Sequence, residues 1–305
     1  MERRKIGSLE VSVVGIGCNN FGWRIDAAGT AAVVDAALHA GIDFFDTADI
    51  YGAGQSEEYL GRALKGRSGQ VVIATKFGMR AGEGNQGARP EYVKRALEAS
   101  LGRLGVDVID LYQIHQPDPA TPIADTLGAL DQAVKAGKVR EIGCSNFSAA
   151  QLREAENASA GKARFVSVQN QYSLLHREPE QEVLSECARL HQSFLPFFPL
   201  LNGLLSGKYR LNSTFPDQSR GKDGFGPKVF TEENLVKAQE LAEFAVANGH
   251  TLLELAFSWL LMRPEISSVI AGAKNPEQVK ANAAAANWKL DGAAMAAVDR
   301  IVGTS

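Results

Sequence analysis

The chain has 305 residues, with 32 Lys and Arg against 35 Asp and Glu, a formal charge of −3, and 45% hydrophobic residues. That balance excludes a disordered chain, which needs fewer apolar residues or a larger net charge. A sequence pI near 6.0 argues against a nucleic-acid binder, which usually carries a basic domain. Three scattered cysteines, Cys18, Cys144 and Cys187, make neither a disulfide framework nor a zinc site. The first ten residues lack the apolar core of a signal peptide. The longest apolar stretch, residues 251–262 with Glu254 inside it, falls short of the ~20 residues that a membrane span needs. A cytoplasmic location is expected, with neither membrane nor nucleic acid as partner; the oligomeric state has no signature in the sequence.

In chain order, residues 4–6 and 11–13 can pair across Gly7-Ser8 as a short hairpin. Eight short apolar, β-branched runs follow, at 13–17, 43–45, 71–74, 108–112, 139–143, 165–168, 194–197 and 268–271. Helical spacing fills the intervals. Residues 30–39 put Val33, Val34, Ala37 and Leu38 on one face, and residues 91–104 do the same with Val93, Leu97, Leu101 and Leu104. Pro90 and Pro122 suit first-turn positions. Ser148 with Gln151 makes a capping box, and Asn275 to Gln278 combine cap, first-turn proline and box. Residues 203–228 form a long loop rich in Gly, Ser, Pro and charge, of a kind that often covers a ligand. Helices over 231–246 and 251–262 come next. The alternation predicts one α/β domain over residues 1–305, a (β/α)8 TIM barrel with an N-terminal β-hairpin and extra helices. Its active site is expected at the C-terminal strand ends.

The polar residues just after those runs are therefore the candidates. The second run ends in Asp46 with Tyr51 close behind, the third in Lys76, the fourth in His115. A lysine or aspartate at the end of an apolar strand is costly unless paired, and an Asp46–Lys76 pair resolves that. A tyrosine is a poor acid at neutral pH; an adjacent ammonium stabilises its phenolate and is expected to lower its pKa. Asp46 would hold Lys76 charged, and His115 would orient a carbonyl oxygen. The set makes a proton donor aimed at a developing alkoxide.

These segments resemble the signatures of the aldo-keto reductases: DFFDTADIYG from Asp43 to Gly52, ATK ending at Lys76, IDLYQIH ending at His115, IGCSNF from Ile142 to Phe147, and QNQYS from Gln169 to Ser173. The likeness runs in order over nearly the whole chain. It implies reduction of a small-molecule carbonyl by NADPH, with NADH a possible substitute, and Tyr51 as proton donor supported by Asp46, Lys76 and His115. It also implies cofactor contacts. Ser145, Asn146 and Gln169 match the residues that hold the nicotinamide carboxamide, with Asp46 beside them. Phe197 stands where a stacking tyrosine is usual. Pro199, Leu200, Asn202, Gly203 and Lys208 match the pyrophosphate loop, with Arg220 as a further cation, and Phe198 replaces a small polar residue there. Gly272, Lys274, Gln278 and Asn282 match the adenosine end; Lys274 and Gln278 match contacts to a 2′-phosphate. Gly17, Cys18 and Asn19 fall at further cofactor positions, with Cys18 in place of a more usual threonine. Trp23, Tyr51, Phe77 and His115 are the expected substrate pocket.

Other motifs fail in context. The phosphate-loop mimic from Gly61 to Ser68 follows a helical segment, not a strand. No histidine pair has metal-ligand spacing. A Schiff-base aldolase would use Lys76 as nucleophile, but Asp46 keeps that lysine charged. A slow-turnover NADPH-binding regulatory or redox-sensing protein, like the potassium-channel β-subunits, shares the same residues and stays open as an alternative. Substrate choice is expected to fall chiefly to the loops at 78–89, 116–121 and 211–228, and to the C-terminal tail.

Overall fold

A computed structural model describes residues 1–79, 86–209 and 226–303. Strands β1 (Arg3–Ile6) and β2 (Leu9–Ser12) pair antiparallel, turning at Gly7, whose φ of 58° is a left-handed conformation that glycine adopts freely. Eight strands then form one sheet: β3 (Val14–Gly17), β4 (Phe44–Asp46), β5 (Val72–Phe77), β6 (Ile109–Ile114), β7 (Val139–Ser145), β8 (Phe165–Gln171), β9 (Ser193–Phe197) and β10 (Val269–Gly272). From β3 to β9 each strand pairs parallel with the next, and β10 returns to pair with β3. A bridge between Phe194 and Ile266 brings β9 and β10 together. The result is a nearly closed barrel.

Helices surround it: α1 (Ala27–His39), α2 (Gln55–Ala63), α3 (Pro90–Leu104), α4 (Ile123–Lys135), α5 (Ala149–Ser159), α6 (Val183–Leu190), α7 (Gly226–Val229), α8 (Glu232–Ala247), α9 (Leu252–Leu261), α10 (Pro276–Ala284) and α11 (Gly292–Val302). None of the described helices is long and apolar enough to cross a membrane. The Ser148–Gln151 box closes at the start of α5. Three local expectations change. Asp26 caps α1 through the Gly29 amide, so that helix starts at Ala27 instead of residue 30. Pro122 is the N-cap of α4 and not its first residue. At α10, Asn275 accepts from the Gln278 amide, but the Gln278 side chain takes the Lys274 amide, so the box stays open.

Strand pleating sorts the apolar side chains into two cores. Phe44, Val72, Ala74, Leu111, Leu195 and Ile270 fill the barrel interior, where Ile6, Leu9 and Val11 of the hairpin plug the N-terminal end. Their alternating neighbours, such as Phe45, Ile73, Phe77, Tyr112 and Ile114, pack outward in the core shared with the helices. Arg4 fastens the plug by donating to the carbonyls of Leu261, at the end of α9, and of Arg263 and Ile266 beyond it, where unsatisfied helix carbonyls favour a cation.

Candidate active site

The inward positions that fill the barrel with methyl groups at its base carry polar groups at its top. Phe44 and Asp46 share one face of β4; Val72, Ala74 and Lys76 share one face of β5. Lys76 is wholly buried and Asp46 is 2% exposed. Lys76 Nζ donates to Asp46 Oδ2 at 2.6 Å and to the Thr47 carbonyl at 2.8 Å. Asp46 Oδ1 accepts from Gln169 Nε2 at 2.9 Å and Gln113 Nε2 at 3.3 Å. The carboxylate is therefore held on both oxygens, one by the ammonium and one by two amides. Gln113 was not among the expected site residues. Its position two beyond inward-facing Leu111 was the available signal.

Tyr51 lies in the turn after β4, where Gly52, Ala53 and Gly54 all have positive φ. The Lys76 ammonium is 5.4 Å from the Tyr51 ring centroid, and the His115 ring meets that ring edge-on at 5.8 Å. Four side chains from three strand ends thus converge. Burial raises the Tyr51 phenol above its ordinary value; Lys76 opposes this, and the net direction is upward. The lysine therefore offsets desolvation without making the phenol a stronger acid, contrary to expectation. Desolvation lowers Lys76, but the Asp46 carboxylate and its neighbours outweigh it, and the ammonium is held charged. Burial, with Lys76 nearby, pushes His115 down to about 3. Its ring is neutral at physiological pH, and its Nδ1 is buried without a partner among the described residues.

Beside this group, Ser145 Oγ donates to the Gln169 carbonyl at 2.7 Å. Asn146, at φ 61°, donates through Nδ2 to the His115 carbonyl at 2.9 Å and to Ser145 Oγ at 3.2 Å. Gln169 commits one amide donor to Asp46 and Asn146 commits both of its own, and no hydrogen bond among the described residues engages their side-chain oxygens. A cleft of about 520 Å³ opens over Tyr51, lined also by Asn19, Trp23, Gln55, Phe198 and Asn202. Trp23 is 63% exposed on its rim.

Phe77 is elsewhere. It is fully buried and stacks on Tyr112 at 4.8 Å, in the layer between sheet and helices. A residue next to inward-facing Lys76 must face outward, so the pocket assignment for Phe77 does not stand. Cys18 is also fully buried, with Sγ 3.6 Å from the Ile16 carbonyl; its side chain serves packing. Phe197 is half-buried and meets Phe198 edge-on at 5.2 Å. After Pro199 and Leu200, the backbone has positive φ at Leu201, Asn202 and Gly203 in succession. A Cβ on Gly203 would stand 3.4 Å from Lys208 Nζ. Arg220 lies outside the described residues. Gly17 and Gly272 pair across β3 and β10; a Cβ on Gly272 would come within 3.4 Å of Asn19 and Asn20 side chains. Lys274 and Gln278 stand at the start of α10, and Asn282 is buried there with Nδ2 unpartnered.

The aldo/keto reductase family model matches residues 13–302. The chain belongs to the aldo/keto reductase family. Among its relatives, an aldo-keto reductase of Schizosaccharomyces pombe named for NADP(+) is 35% identical over 95% of this chain and 88% of that protein. The aldo-keto reductase YhdN of Bacillus subtilis is 34% identical over 93% and 87%. Among solved structures, the glycerol dehydrogenase of Gluconobacter oxydans superposes with a TM-score of 0.85 at 30% identity, covering 98% of this chain and 94% of that one. This aldo/keto reductase is thus an oxidoreductase of a family that uses nicotinamide cofactors. Its own residues fit such a group. The acceptors of Asn146 and Gln169 suit an amide NH2, the bare backbone at Gly203 and Gly272, where a Cβ would crowd its neighbours, admits close approach, and the orphaned Asn282 amide suits a heteroaromatic acceptor.

Proposed function

We propose that the protein reduces aldehydes or ketones to alcohols with NADPH, and that Tyr51 donates the proton. The observation that carries this is the convergence of Tyr51, Lys76, Asp46 and His115 on one cleft. When bound, the dinucleotide supplies the hydride. Neutral His115 offers a hydrogen bond to a substrate carbonyl oxygen without competing as an acid. The phenol, fully protonated at neutral pH, releases its proton as negative charge develops on that oxygen. The buried Lys76 ammonium, fixed by Asp46 and the Thr47 carbonyl, stabilises the phenolate left behind. Gln113 and Gln169 keep Asp46 oriented for that task.

Ser145, Asn146, Gln169 and the face of Phe197 would hold the nicotinamide. The Pro199–Gly203 backbone and Lys208 would take the pyrophosphate, with Arg220 as a further cation. Gly17, Asn19, Gly272 and Asn282 would border the dinucleotide, with Lys274 and Gln278 at a 2′-phosphate. Trp23 would border the substrate. The test is Tyr51→Phe, followed by NADPH absorbance across a panel of aldehydes. Loss of general acid catalysis lowers turnover by about 10²–10⁴-fold, with NADPH affinity nearly unchanged. Undiminished turnover in that variant sinks the assignment of the donor. Sustained multiple turnover by the wild type separates this reading from a slow NADPH-binding regulator.

A further inference from the structure

Strand β5 has a second face, and that face also meets buried charge. Lys76 points into the barrel; its neighbour Thr75 points outward, where its hydroxyl donates to Glu57 Oε1 at 2.5 Å. Glu57, on α2, is fully buried, and its other oxygen takes Arg103 Nε from α3 at 2.6 Å. Asp49 shares this layer and is 7% exposed. Its Oδ2 receives the Tyr92 hydroxyl of α3 at a long 3.4 Å, while Oδ1 is buried without a partner among the described residues. The Tyr112 hydroxyl of β6 is likewise buried and unpartnered. Arg95 lies against the Tyr92 ring at 5.2 Å. Two buried carboxyl groups therefore share Arg103, which is already bonded to Glu57.

The same layer seats the turn that carries Tyr51. The Asp49 amide donates to the Lys76 carbonyl at 3.2 Å, and Tyr51 follows two residues later. At the far end of the turn, Gly54 lies so close to Arg103 that a Cβ would fall 2.9 Å from its Cδ. We propose that Asp49 is a positioning residue for Tyr51, protonated in the competent enzyme, and that its ionisation opposite Glu57 unseats this turn and lowers turnover. The proposal rests on the reductase function above.

Burial and the Glu57 charge raise the Asp49 carboxyl to about 7, against the opposing pull of Arg103, the Tyr92 hydroxyl and the Ile50 amide. Aldehyde reduction at saturating NADPH should therefore fall in kcat along a single ionisation, with its midpoint near this value. Asp49→Asn, which fixes the neutral form, should keep its acid-side rate through neutrality. Tyr92→Phe removes a hydrogen bond that favours the carboxylate, so it should move the limb to higher pH. A flat wild-type profile, or the same limb in both variants, overturns the proposal. If Asp49→Asn does not fold, the direction of the Tyr92→Phe shift decides.

Urea unfolding supplies a readout independent of turnover. The folded chain keeps this proton up to about 7, whereas the unfolded chain releases it near 3.9, so stability falls between those values and levels off above. Asp49→Asn should lose that fall. Equal pH dependence of stability in wild type and variant overturns the ionisation even if no aldehyde is reduced. Absence of aldehyde reduction with the expected unfolding difference would instead count against the reductase function alone.

Discussion

Replacing Lys76 by methionine keeps most of the side-chain volume and removes the charge. In the wild type the ammonium sits 2.6 Å from Asp46, with the two side chains 0% and 3% exposed. At an effective dielectric near 20, charges at that distance attract by about 6 kcal/mol. Desolvating two ions costs several kcal/mol each, so the intact pair adds little net stability, although breaking it is expensive. Lys76→Met leaves a buried carboxylate facing only Gln113 and Gln169, and also strips the Thr47 carbonyl of its donor. A loss of about 3–5 kcal/mol follows, a large part of the roughly 5–15 kcal/mol that holds a domain folded. Adding Asp46→Asn removes the uncompensated charge while keeping an acceptor for the two glutamines. The double variant should therefore be more stable than Lys76→Met alone, with a coupling of about 0.5–3 kcal/mol between the two positions, although turnover stays lost. Urea unfolding of both single variants and the double variant measures this. A double variant destabilised by the sum of its parts would refute the view that charge, and not packing, makes Lys76 indispensable to the fold.

Two other substitutions probe different regions. Lys274→Ala should weaken NADPH by about tenfold, the size of one charge-assisted contact, and leave NADH nearly unaffected; equal losses in titrations of both would mean that the 2′-phosphate is read elsewhere. Gly61→Ala would place a methyl 2.2 Å from the Leu104 carbonyl, forcing α2 and α3 apart. The strain of about 1–3 kcal/mol should outweigh the better helix propensity of alanine, and thermal unfolding that shows a stabilised variant would rule this out.

The barrel was legible because β-branched runs and helical spacing alternate in register with the chain. Where the expected strands stopped short, the cause is chemical. Residues 71–74, 108–112 and 139–143 end where apolar character ends, yet β5, β6 and β7 continue to Phe77, Ile114 and Ser145. Their last residues keep the sheet hydrogen bonds while presenting lysine, glutamine and serine. An apolar signal must fade where a strand becomes a site. The open box at α10 has a related origin: the Gln278 side chain bonds the amide of Lys274, one residue before the position that the local pattern specifies.

At the site, convergence of Asp46, Lys76 and His115 was foreseeable from strand ends alone, because parallel neighbours in a barrel bring those ends together. Period-two alternation would have gone further. Counting in twos along β6 from Leu111 reaches Gln113 and then His115; counting from Lys76 excludes Phe77, which must face the helices. What no local pattern encodes is the outer acid layer. The Asp49–Tyr92 and Glu57–Arg103 contacts span 43 and 46 residues, and each partner alone looks like an ordinary helix or loop residue. Thr75 ties this layer to the site through Glu57. A pleated strand must turn consecutive side chains to opposite faces, so a strand that puts Lys76 beside Tyr51 also presents residue 75 to the helices. A threonine there donates to Glu57, and Lys76 and the buried acids come to share one backbone.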